Sequence, residues 1–205
     1  MTRISSGGRA SSGRSGISCD GIGTPSLDLG GHTIIFRLSQ KLAQKIKVVP
    51  KVRAPLDANP FADWSAHLFT AQRTRYIILT NTASLYSVIM YGKGISDDED
   101  FIDSALTHMR EFLPADGNEF IFRKFIAPAS GEVAFSKAFN RGVTGSMNDM
   151  ISCATFQLVQ REMSPFEAAS SVNEMPMSYL EHKHPREAFK ALHVLPLEPC
   201  NETPS

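Results

Sequence analysis

Three short apolar runs between Ala66 and Tyr91, separated by turn-length gaps, constrain the fold of this chain more than any other feature. Ala66–Ala71, Tyr76–Asn81 and Leu85–Tyr91 are each strand-sized, and the gaps Gln72-Arg73-Thr74 and Thr82-Ala83-Ser84 have hairpin length. The spacing predicts a three-stranded antiparallel meander, ended by Gly92-Lys93-Gly94. Two helices follow from a different periodicity. Ile102, Ala105, Leu106, Met109 and Leu113 form an apolar stripe over about 98–113, with Asp97, Asp98, Glu99 and Asp100 at the end where the helix dipole favours negative charge. Met147, Met150, Ile151, Ala154 and Leu158 do the same over about 147–162.

Shorter signals fill in the rest. Thr33–Arg37 and Val133–Ser136 read as further strands, and Glu119–Phe125 fits helix or strand. Ser39 offers an N-cap for a helix to about Lys47, with Leu38, Leu42 and Ile46 turned to the core. Ser164-Pro165 opens a short helix, and 184–192 holds a last turn or two. The expected fold class is α+β: a small antiparallel sheet, the meander plus one or two further strands, packed against two main helices. The other sheet face is expected to be solvated or to pair with a second copy. The expected domain covers residues 32–193. Residues 1–31 carry eight of the fourteen glycines and little that is large and apolar, so a disordered tail is expected there, with a loose tail at 194–205. The first segment is also rich in Arg and Ser, as transit peptides are, but its glycines oppose the amphipathic helix such a peptide needs.

Composition limits the function classes. Lys+Arg and Asp+Glu are both 21, which argues against a surface built wholly for nucleic acid. Cys19, Cys153 and Cys200 form no CxxC pair, so neither a disulfide framework nor a structural zinc site is expected, and a reducing, cytoplasmic setting fits. No apolar run is long enough to span a bilayer. No cofactor and no metal are expected.

Three blocks carry a resemblance. Asn59-Pro60-Phe61-Ala62-Asp63-Trp64-Ser65-Ala66-His67-Leu68-Phe69, Thr80-Asn81-Thr82-Ala83-Ser84-Leu85-Tyr86-Ser87-Val88 and Arg141-Gly142-Val143-Thr144-Gly145-Ser146-Met147-Asn148-Asp149 together resemble a family of uncharacterised bacterial domains. The resemblance implies a bacterial or plasmid-borne intracellular protein over about 33–162. It implies no activity and no catalytic residue.

Each candidate site also has a plain structural role. Around Arg141–Asp149, Gly142 and Gly145 suit a tight strand-to-helix turn, with Ser146 as N-cap and Asp149 three residues on. The same turn, through Arg141, Gly142, Gly145, Ser146 and Asn148, could hold an anion on free backbone N–H groups, although Asp149 opposes this. Arg37, Lys41, Lys45, Lys47, Lys51 and Arg53 form a basic patch without an acid. It is either a solvated face, a match for the acidic run 97–103, or a weak phosphate contact. Asp63, Ser65 and His67 alternate on one strand, but side chains about 7 Å apart do not make a nucleophilic triad. Trp64 is expected as a core anchor and His67 as a packed strand residue. Glu181, His182, His184 and His193 are short of a metal-ligand spacing, and Cys153 reads as a buried thiol. Two functional readings result. The favoured one is a non-catalytic binding or regulatory module with a protein partner, a second copy or weak nucleic-acid contact. The alternative is a small enzyme or sensor handling an anionic ligand at 141–149.

Overall fold

The computed structural model describes residues 33–181 and 183–194. The expected terminal tails, Cys19, Cys200 and His182 lie outside the described residues, save Val194 at the head of the C-terminal one. Five strands form one sheet in the order β4-β3-β2-β1-β5. These are β1 Thr33–Leu38, β2 Asp63–Ala71, β3 Thr74–Asn81, β4 Ser87–Tyr91 and β5 Glu132–Lys137. The helices are α1 Gln40–Lys45, α2 Asp98–Ala115, α3 Glu119–Ile121 with a π turn after it, α4 Arg141–Gln160, α5 Pro165–Val172 and α6 Pro185–Lys190.

The fold is α+β, but the expectation of an antiparallel sheet built on a three-stranded meander is corrected. The sheet is mixed: β1 lies between β2 and β5 and is parallel to both. Antiparallel pairing holds only for β2 with β3 and β3 with β4. The turn between β2 and β3 puts Gln72 and Arg73 at φ 44° and 70°, the two left-handed residues of a hairpin that follows strand twist. No comparable local signal marks the parallel pairs, because parallel strands are joined through long crossovers.

Register sorts the side chains onto two faces. Phe36 pairs with Trp64 and with Phe135, so these share one face. There Phe36 meets Phe101 of α2 edge-on at 5.1 Å. Trp64 is fully buried, and its indole N–H donates to the Phe61 carbonyl at 2.8 Å, as its expected anchoring role requires. The opposite face carries a row of polar side chains, Ser136, Arg37, Ser65, Thr80 and Ser87, one from each strand and all buried. The Ser87 hydroxyl contacts Met150, so α4 covers this face, which is not the solvated or self-pairing face expected: the two main helices lie on opposite sides of the sheet.

The two outer edges are partly sealed. On β5, the Lys137 N–H donates to the Val52 carbonyl and the Ser136 hydroxyl accepts from the Ala54 N–H. On β4, the Asn173 amide accepts from the Ser87 N–H at 2.7 Å and donates to the Ser87 carbonyl at 2.9 Å. Such covers keep a sheet edge from pairing with another chain.

The start of α4 departs from the sequence reading. The helix begins at Arg141, and the Asn140 side chain, not that of Ser146, caps it by accepting from the Val143 N–H. Gly142, Gly145 and Ser146 are therefore helical residues. An Asn N-cap contributes about 1 kcal/mol, no more than the cost of two helical glycines, so the early start also draws on the burial of Val143 in the first turn.

Candidate functional site

The parallel strands set the site. α1 follows β1 and is tied to the loop that leads into α2, where the Lys45 ammonium donates to the Ile95 carbonyl. α4 follows β5 and covers the other face. Neighbouring parallel strands whose following helices leave to opposite faces open a crevice at their carboxyl ends, the usual ligand position in parallel sheets.

Two adjoining hollows lie there. One is a cleft of about 730 Å³. Its walls are Ser39, Gln40 and Lys41 on one side and Thr144, Asn148 and Ile151 of α4 on the other, with His67 to Thr70 of β2 between them. The second, about 690 Å³, is more apolar: Ala43, Val48, Val49 and Pro50 line it, and Lys47, Arg53 and Lys137 supply the charge. Leu38, Gln40 and Ala138 border both, so the two form one trough around the end of β1. Among the described residues that line it, four are Lys or Arg and none is Asp or Glu. His67 is partly buried; burial, and then the charge of Lys41, hold its pKa below the ordinary histidine value. It is accordingly neutral near pH 7 and can donate and accept a hydrogen bond.

The predicted basic patch is divided. Arg37 is buried, not superficial. Its Nε and Nη2 donate to the two Asp63 carboxylate oxygens at 2.7 and 2.6 Å, Nη1 to the Ala54 carbonyl and Nη2 to the Pro55 carbonyl. The Phe139 ring stacks 4.9 Å from its guanidinium carbon. Arg37 thus fastens the 54–55 loop to β1 and β2. Lys45 is occupied by Ile95, Lys41 faces the cleft, Lys47 and Arg53 line the second hollow, and Lys51 is exposed on the loop.

The predicted anion turn is divided as well. Arg141 is exposed at the first position of α4, a Cβ on Gly142 would meet the Tyr179 ring at 2.8 Å, Gly145 faces open space and Ser146 is buried. Only Asn148 reaches the cleft. The fold therefore joins one residue from each predicted set, Lys41 and Asn148, with His67. Asp63, Ser65 and His67 do not act together: Asp63 holds Arg37 and Ser65 shares a hydrogen bond with Thr82 at 2.9 Å. His184 hydrogen-bonds the Glu174 carbonyl, and no group of three metal-type side chains forms among the described residues.

A buried network at the other end of β4 had no sequence signal. The Tyr86 hydroxyl donates to Asp116 at 2.5 Å and accepts from the Asn118 amide at 3.0 Å. Asp116 also accepts from Ser170 and Arg186. Burial, and then the hydrogen bond to Asp116, push the Tyr86 pKa far up. The network joins α2, α5 and α6 to the sheet, and its members are 16 to 70 residues apart where they touch Arg186.

The family model for a domain of unknown function, DUF6933, matches residues 35–188. The chain belongs to the DUF6933 family. The match runs from β1 into α6, so every residue that lines the trough falls inside the DUF6933 domain. The expected membership of an uncharacterised domain family is met at that level. No curated protein matches the chain. Among the described residues no helix is long and apolar enough to cross a membrane.

Proposed function

We propose that this DUF6933 domain is a non-catalytic binding module that takes an acidic ligand in the trough at the carboxyl ends of β1 and β5. The observation that carries the reading is the composition of that trough: two adjoining hollows of about 730 and 690 Å³, with cations at Lys41, Lys47, Arg53 and Lys137 and no acid among the lining residues. Hollows of this size suit ligand binding. The adjacent Asn148 and neutral His67 supply hydrogen bonds that fix orientation. A weak nucleic-acid contact is less well supported, since Arg37 and Lys45 are occupied within the fold. A reducing, cytoplasmic setting belongs to the same reading and is supported by the sparse cysteine content.

The test is thermal-shift measurement with citrate, hexaglutamate and hexalysine on wild type and on a Lys41→Glu, Lys47→Glu double variant. Stabilisation by both acidic probes, lost in the variant and absent with hexalysine, is expected. Equal stabilisation by hexalysine, or acidic binding untouched by the charge reversal, refutes the reading.

A further inference from the structure

We infer that the ligand of this trough is an extended, acid-bearing segment of another protein, bound by adding a strand to β2 along Leu68–Thr70. The inference rests on the binding reading above and names its ligand.

β1 stops at Leu38, opposite Ala66, because Ser39 turns the chain and caps α1. β2 continues to Ala71, and β3 stays paired with it as far as Thr74. The end of β2 is therefore paired on one side only. The direction of its backbone groups is fixed by two hydrogen bonds: the Asp63 carbonyl accepts from the Thr82 N–H on the β3 side, and the Ala66 carbonyl accepts from the Ser39 N–H on the β1 side. Backbone groups alternate along a strand, so Leu68 and Thr70 aim both N–H and C=O into the lane that β1 has left. Among the described residues no backbone or side-chain donor or acceptor meets them there.

That lane is the cleft of about 730 Å³. The other outer edges are each covered at one end, by Val52 and Ala54 on β5 and by Asn173 on β4. The Leu68–Thr70 edge instead faces a hollow walled by Lys41 and Asn148. Open main-chain groups beside side-chain contacts are what strand addition uses: backbone bonds give affinity and alternate side chains give choice. Lys41 in the cleft, with Lys47, Arg53 and Lys137 in the adjoining hollow, selects acidic side chains.

The experiment is calorimetric titration of the full chain with the blocked heptapeptide Glu-Val-Glu-Val-Glu-Val-Glu, with that peptide N-methylated at its valines, and with it N-methylated at its glutamates. One methylation pattern is expected to weaken binding by roughly tenfold or more, the scale of a lost hydrogen bond or two, while the other is tolerated. Thr70→Pro removes one outward N–H and leaves the β2–β3 ladder intact, and should weaken binding to a similar degree; Thr70→Ala should not. If the parent peptide binds and both methylation patterns bind equally well, strand addition is overturned and the binding reading stands. Citrate binding that depends on Lys41, with no peptide binding, overturns the partner class and spares the reading. If neither binds, both fall. A dimer in light scattering that Thr70→Pro dissolves makes a second copy the occupant and overturns the inference.

Discussion

Replacing Arg37 by Met removes a guanidinium whose side chain is 0 % exposed and leaves the Asp63 carboxylate, in a side chain 1 % exposed, without its cation. Two of the four lost hydrogen bonds went to Asp63; the other two went to the Ala54 and Pro55 carbonyls, on a loop where water can replace them. The carboxylate therefore dominates the cost. Breaking one partner of a buried pair costs about 3–5 kcal/mol, whereas an apolar replacement of both is often near neutral. At roughly 2–4 °C per kcal/mol for a chain of this size, Arg37→Met should melt on the order of 10 °C below wild type. Denaturant titration of Arg37→Met, Asp63→Leu and the double variant gives the coupling directly, and the double variant should recover at least half of the summed loss. The wild-type pair should also be little affected by salt, since buried charges are weakly screened. A loss below about 1 kcal/mol for Arg37→Met, the scale of an exposed ion pair, would refute the argument that this residue left the basic surface to hold the sheet and loop together.

The helix start gives a second check. Asn140→Ala should cost about 1 kcal/mol by removing the N-cap, while Gly145→Ala should stabilise by about 0.5–1 kcal/mol because its Cβ meets only open space in a helix. Denaturation midpoints that invert these signs would restore a turn at 141–146. His67 supplies the pH dependence. Its folded pKa lies below the unfolded value of 6.5, so the unfolded chain binds the extra proton first. The contribution is full above that value and declines as pH falls through it. The melting-temperature difference between wild type and His67→Gln, followed from pH 8 to 5, should shift against wild type on acidification; a flat difference curve would sink the assignment.

What could be read in the sequence was local. Hairpin-length gaps marked the β2–β3–β4 order, the Ser39 and Ser164 caps marked the starts of α1 and α5, and apolar spacing marked α2. The helix α4 was misplaced at its start because Ser146 and Asn140 are both competent caps, and only packing decides between them. Val143 is buried against the core, which draws the first turn of the helix into the fold.

Most of the elements, the α+β class and the core status of Trp64 were legible before any long-range contact was known, because they follow from contacts a few residues apart and from the burial of large apolar groups. The parallel run of β1 between β2 and β5 came from long-range packing, a pairing that spans 99 residues between Thr33 and Glu132. That arrangement buries Arg37 in a patch that looked superficial and brings Lys41, His67 and Asn148 to one cleft. A basic run in sequence has no fixed sidedness until strand register assigns each residue a face and a depth.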